Sequence, residues 1–121
     1  MSETSEIQRK SLLNAALGAA AAVERVEIQQ IDLPPGQAVG LHRHACPVVG
    51  YVVSGAINFQ IEGEPTQRLR SGDAFFEPSG TLIAHFDNAS SRTGATFIAF
   101  YLLASGQREL IEMIKQPKVG A

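Results

Sequence analysis

The chain has 121 residues, a formal net charge of -2 and a pI near 5.9, with 45% hydrophobic and 18% charged residues. That length suits one domain, residues 1–121, and the charge balance offers no clustered basic face for nucleic acid. A lone cysteine, Cys46, excludes an intrachain disulfide framework and fits a reducing, cytoplasmic setting.

Leu12 to Val23 is an apolar, alanine-rich run behind Arg9 and Lys10, superficially like a signal peptide. Glu3 and Glu6 offset the basic residues, and Asn14 and Gly18 weaken the run. It is also shorter than the roughly 20 apolar residues that span a bilayer, so it reads as a short helix or irregular arm lying on the domain.

From Ala22 to Leu33 apolar residues alternate at Val26 and Ile28 and then shift phase to Ile31 and Leu33, as in a strand with a bulge near Gln29-Gln30. Pro34-Pro35-Gly36 ends it. The next strand, from Gln37, sets Ala38, Gly40, His42 and His44 on one face. Val48 to Ser54 is a β-branched, aromatic run that reads as buried. Ala56 to Glu62 alternates Ile57, Phe59 and Ile61 against Asn58 and Gln60 and closes a hairpin at Glu62-Gly63.

A polar edge, Glu64 to Arg70, precedes the short strand Ala74 to Glu77, the turn Pro78-Ser79-Gly80 and a strand from Thr81 to Phe86. Ala95 to Leu103 is the most hydrophobic strand and reads as buried on both faces. In the tail, Leu110, Ile111 and Ile114 fall at helical spacing, which predicts a C-terminal helix over 107–115. Seven or eight short strands with Gly-rich turns predict an all-β barrel or jelly roll whose core spans about residues 24–104.

His42 and His44 stand at i and i+2 on an extended strand, projecting from one face about 6.6 Å apart. Imidazole nitrogens bind metals at about 2.0–2.1 Å, so this pair is half of a coordination sphere. His85 is either a further ligand or a hydrogen-bonded rim residue beside Asp87-Asn88. Glu77 follows two phenylalanines in an apolar strand, where a carboxylate needs a partner: a metal, Arg68 or Arg70, or a backbone amide. Cys46 is either a small buried hydrophobe or a further ligand. Tyr51, Phe59, Gln60, Phe75 and Tyr101 are candidate walls of a substrate pocket, or ordinary core.

The stretch Gly36 to Gly55, G-x5-H-x-H-x3-V-x6-G, resembles the first signature of the cupins, and Gly72-x5-Pro78-x-Gly80, a histidine and Asn88 resemble the second. Two departures stand out: Val48 occupies the place of a glutamate, and Ile83 that of the third histidine, with His85 two residues later. Some cupins carry Phe-Glu-Pro at the position of Phe76-Glu77-Pro78 while lacking the earlier glutamate. The resemblance implies a cupin-type β-barrel holding one divalent transition metal (iron, manganese, nickel or zinc) through His42, His44 and His85, with Glu77 or water completing the set. It also implies a small-molecule substrate, with a dioxygenase or oxidoreductase as the expected enzyme class. A non-catalytic ligand-binding or sensor protein is the alternative. A homodimer is expected, with the N-terminal arm free to cross to a partner and no membrane or nucleic-acid partner.

Overall fold

Strand alternation sorts the chain into two antiparallel sheets with an apolar space between them. A computed structural model describes residues 6–18 and 22–115. The strands are β1 (Arg25–Leu33), β2 (His42–Arg43), β3 (Val48–Ser54), β4 (Ala56–Ile61), β5 (Gln67–Arg70), β6 (Ala74–Glu77), β7 (Ile83–Asn88), β8 (Ala95–Leu103) and β9 (Glu112–Met113). One sheet runs β1-β8-β3-β6 and the other β5-β4-β7-β2-β9, a jelly-roll order in which sequence neighbours often lie in different sheets. The Ser54-Gly55 corner carries the chain from one sheet to the other, while β4 and β5 form the hairpin predicted at Glu62-Gly63.

The core fills the gap with inward residues of both sheets. Phe59, Phe75, Phe86 and Phe97 meet edge-on, with ring centroids 4.7 Å apart for Phe86 and Phe97 and 5.0 Å for Phe75 and Phe86. Such pairs contribute about 0.5–1.5 kcal/mol each beyond their buried area. Asn88 is a buried polar post of the second signature. Its Nδ2 donates to the carbonyls of Leu33, Pro34 and Thr93, and its Oδ1 accepts from the Ser90 amide, which ties the loops at the end of β1 and β7 together.

Three local expectations change. β1 has no bulge: its register with β8 is unbroken from Arg25 opposite Leu103 to Leu33 opposite Ala95. Val26 and Ile28 are apolar because they lie on the outer face of an apolar sheet, 51% and 59% exposed, and not because the strand shifts phase. β8 is buried on its inner face only, with Ile98, Phe100 and Leu102 half-buried outside.

The C-terminal helix does not form. Residues 107–115 contain no helix; Glu112–Met113 form β9 and pair with β2, and the Ile114 amide donates to the Leu41 carbonyl. A helix this short is marginal by itself, whereas the edge of β2 offers ready backbone partners. Before β1, residues 6–18 and 22–24 carry neither helix nor strand, an irregular arm whose Leu12 and Leu13 lie against Val49, Tyr51 and Phe100 on the outer face of the first sheet. The remainder of the Leu12 to Val23 run, at 19–21, lies outside the described residues. No described helix is long and apolar enough to cross a membrane.

Candidate metal centre

Three elements converge at one end of the inter-sheet cavity. β2 alternates, so His42 and His44 turn inward, 2% and 4% exposed, while Arg43 between them faces solvent. Glu77 ends β6 and is 4% exposed. It lies directly across from Val48 on β3, so the carboxylate missing at Val48 is supplied from the adjacent strand. The turn after Glu77 is fastened to the histidine segment, the Gly80 amide donating to the His44 carbonyl at 2.8 Å and Ser79 Oγ to the Ala45 carbonyl at 2.9 Å.

Glu77 Oε2 stands 3.3 Å from His44 Nε2 and 3.7 Å from His42 Nε2, and the two rings meet edge-on with centroids 5.1 Å apart. The opposite nitrogens fix the tautomers. His42 Nδ1 donates to the Gly40 carbonyl at 2.7 Å and His44 Nδ1 to the Leu110 carbonyl at 2.5 Å. A carbonyl only accepts, so both Nδ1 atoms carry hydrogen and both Nε2 atoms of the neutral rings present lone pairs. Two lone pairs and a carboxylate thus face one another in a buried site, and Glu77 Oε2 has no hydrogen-bond partner. A cation placed between them satisfies all three acceptors at once.

A metal fits this donor set. Two donors each about 2.1 Å from one ion lie at most about 4.2 Å apart, and both carboxylate contacts fall inside that limit. All three ligand atoms lie within 4.8 Å of one another, and no other such group of three exists among the described residues. Two histidines and one carboxylate with positions left open is the donor pattern of non-haem iron(II) sites.

Without a metal, a proton does the same task less well. Burial pushes the Glu77 carboxyl up, but the facing His42 and His44 rings outweigh it and hold it below its usual range. Burial lowers His44, but Glu77 and the Leu110 carbonyl more than offset that and leave it raised. A lowered carboxylate stabilises the fold above its unfolded pKa, near 4.5, and loses that contribution as pH falls through the folded value. A raised imidazole stabilises fully below its unfolded pKa, near 6.5, and loses it as pH rises through the folded value. The metal-free protein is therefore expected to melt highest between about pH 4.5 and 6.5 and lower on both sides, whereas loaded protein holds its Tm at pH 8. Thermal scans across pH with and without chelator check this.

His85 is not brought to the group. β7 slips register against β4 between the pairs Gln60–His85 and Ile61–Ile83, and this bulge turns Ile83 and Phe86 inward and leaves the His85 side chain 55% exposed. Its Nδ1 donates to Asp87 Oδ2 at 2.9 Å, the rim role that was the alternative for this residue. Ile83, fully buried and opposite His42, fills the place expected of the third histidine. Cys46 is buried outside the group, and burial pushes its thiol up, so it is a small core residue.

The pocket candidates divide. Phe75 and Tyr101 line the cavity, about 220 Å³, that opens from the metal group between Ile31, Val39, Phe97 and Ile111. Phe59 lies one layer behind, packed on Phe75 and Phe86. Tyr51 points away, 37% exposed, because Val48, Gly50 and Val52 take the inward positions of β3. Gln60 lines, with His85 and Asp87, a separate groove of about 570 Å³ outside the second sheet. Burial first, and then the Glu77 charge, push the Tyr101 phenol up to about 12, so it stays protonated beside His44. Sequence reasoning missed the Gly40 and Leu110 carbonyls, because backbone groups leave no signature in side-chain identity.

Among known proteins, the chain matches the cupin domain family over residues 29–101 and belongs to that family. It is 34% identical over 50 residues to the dimethylsulfoniopropionate lyase DddQ of Ruegeria pomeroyi, a stretch that makes up 41% of this chain and 25% of that protein. The chain thus spans about a quarter of that relative. The crystal structure of the same lyase aligns with a TM-score of 0.61 at 20% identity, over 73% of this chain and 42% of that one. An oxalate oxidase aligns at 0.62 and 22% identity, over 74% and 46%. A cupin-like protein from Thermotoga maritima aligns at 0.61 and 19% identity, over 74% and 64%. At these identities the structures establish the shared cupin fold.

Proposed function

We propose that this cupin holds one divalent transition metal, iron, manganese, nickel or zinc, on His42 Nε2, His44 Nε2 and Glu77 Oε2, and acts as a dioxygenase or related oxidoreductase on a small organic molecule. The observation that carries the reading is the buried convergence of two imidazole lone pairs and an orphaned carboxylate oxygen. The metal supplies Lewis acidity or, if iron, oxygen activation. The protein's own residues supply the rest. The apolar walls exclude water, and the protonated Tyr101 phenol offers a hydrogen-bond donor to a ligand beside the ion.

Size and charge narrow the substrate. The cavity is smaller than the roughly 300–1,000 Å³ of pockets for drug-sized ligands. No lysine or arginine lines it, so an ion with one carboxylate ligand leaves a single positive charge for a substrate to balance. A small monoanion or neutral molecule suits that arrangement. The relatives named for dimethylsulfoniopropionate and oxalate support small organic acids as the class to try first.

The test is elemental analysis after exposure to limiting iron, manganese, nickel and zinc, beside the His42→Ala/His44→Ala double variant and His85→Ala. About one ion per chain, lost in the double variant and kept in His85→Ala, supports the reading and leads to oxygen-uptake assays on small acids. A wild-type protein that retains no ion sinks it. The second reading, a non-catalytic ligand-binding protein, is favoured by Ile83 at the expected third-histidine place; it predicts ligand binding with no turnover.

The assembly we infer is a homodimer in the cytoplasm, where the free thiol of Cys46 persists. Ile28, Phe100, Val49 and Phe76 form one apolar row across the outer face of all four strands of the first sheet. Tyr51 and Val53 extend it, and the arm's Leu12 and Leu13 rest on this face yet stay 52% and 40% exposed. A second copy covers such a face. Sedimentation should give twice the 12.9 kDa chain mass, and a species of one chain overturns the dimer.

A further inference from the structure

The tail of the chain closes over the metal group, and its contacts reach both histidines. The Leu110 carbonyl accepts directly from His44 Nδ1, and Ile111 forms part of the cavity wall. Met113 pairs with His42 across β9 and β2, and its Cε stands 3.1 Å from where a Cβ on Gly40 would lie. Gly40 has a φ of 96°, a left-handed turn that aims its carbonyl at His42 Nδ1, so Met113 packs on the residue that sets the second tautomer.

The segment's anchors are peripheral. They include the Ile114 amide to the Leu41 carbonyl at 3.0 Å, Gln107 Nε2 to the Ala45 carbonyl at 3.0 Å, the Ala104 amide to Gln107 Oε1 at 2.9 Å, Arg25 Nη2 to the Gln107 carbonyl at 2.9 Å, and an exposed Arg43–Glu112 pair at 2.7 Å. Leu110 packs against the core, and the two-residue β9 is exposed. Such an element belongs to the low-stability end of a fold and can detach without opening the barrel. It also lies beyond residue 101, where the family match ends.

We propose that residues 107–115 form a positioning strap that fixes the Nδ1–H tautomer of His44 through the Leu110 carbonyl and that of His42 through Gly40, so that divalent-metal affinity depends on a segment outside the stretch that matches the family. The proposal rests on reading His42, His44 and Glu77 as the metal centre. Outer partners of ligating histidines fix ring orientation and tautomer, and their loss typically costs 10–100-fold in metal affinity. The strap supplies one such partner and braces the other.

The test compares the full chain with a form ending at Gly106 and with Ile114→Pro, which removes the amide that anchors β9. The metal-free readout is imidazole 15N shifts at pH 8, which report the tautomer. The second readout is Zn²⁺ affinity by chelator competition, with circular dichroism to verify the barrel. The full chain should hold His44 as Nδ1–H. The shortened chain should lose that preference and bind Zn²⁺ about 10–100-fold more weakly, with Ile114→Pro between the two. A folded shortened chain with an unchanged His44 tautomer and an affinity within about twofold overturns the strap. If the shortened chain unfolds, Ile114→Pro carries the same pair of outcomes. If the full chain binds no metal, the metal reading fails and the tautomer shifts still decide the strap.

Discussion

Glu77→Gln is expected to lower bound metal from about one ion per chain to under a tenth at limiting metal, an affinity loss exceeding the 10–100-fold that outer partners cost. The same change should leave the metal-free protein, at a pH above the folded His44 pKa, as stable as wild type or more so. The reason is the lone-pair arrangement. In the metal-free wild type above the histidine range, Glu77 Oε2 faces His44 Nε2 at 3.3 Å with no proton between them. The substituted amide brings N–H donors to those Nε2 atoms and removes a buried negative charge. Saturating metal, at 100 times its Kd, adds about 2.7 kcal/mol to wild type, and Glu77→Gln forfeits that gain. Elemental analysis and paired melts with and without chelator measure both effects. Stoichiometric metal in Glu77→Gln removes the carboxylate from the ligand set, while a metal-free melt well below wild type makes Glu77 a structural partner instead.

Gly50→Ala is expected to destabilise the protein by about 3 kcal/mol or more, the upper end for overpacked cores. A Cβ at Gly50 would stand 2.1 Å from the Ile98 carbonyl oxygen and 2.6 Å from Phe75 Cζ. The first neighbour is backbone of β8, held between β1 and β3, and cannot retreat without breaking a ladder. The second is a ring packed against Phe59, Phe86 and Phe97, whose displacement disturbs the aromatic core. A fall in Tm of about 10 °C or more follows for a chain of this size. A thermal scan reads it directly, and a melt within a few degrees of wild type would mean that β3 and β8 separate more readily than their pairing implies.

Much of this site was legible because it depends on period-two alternation. His42 and His44 share a face wherever β2 is extended, and Glu77 among phenylalanines needs a partner wherever β6 is buried. What was not legible depends on single-residue shifts and on backbone atoms. His85 and Ile83 would share a face on a regular strand, and one bulge in β7 sends Ile83 inward and His85 to solvent. Val26 and Ile28 mimic a phase change because the outer face of the first sheet is itself apolar, so alternation in β1 carries no contrast there. Leu110, Ile111 and Ile114 fit helical spacing, yet the free edge of β2 offers hydrogen bonds that a short isolated helix lacks.

The pairing of β1 with β8, Arg25 opposite Leu103, also sets an order of events during synthesis. β1 leaves the ribosome long before β8, its strand partner among the described residues, so β1 cannot join the first sheet until almost all of the barrel has been made. His42, His44 and Glu77 are then already outside, but the carbonyl that orients His44 belongs to Leu110 and emerges later still. The candidate site therefore matures after the barrel strands. An ion held by this group would be acquired after the barrel strands have emerged, and metal scarcity would leave behind a folded, unloaded pool that remains competent to be filled.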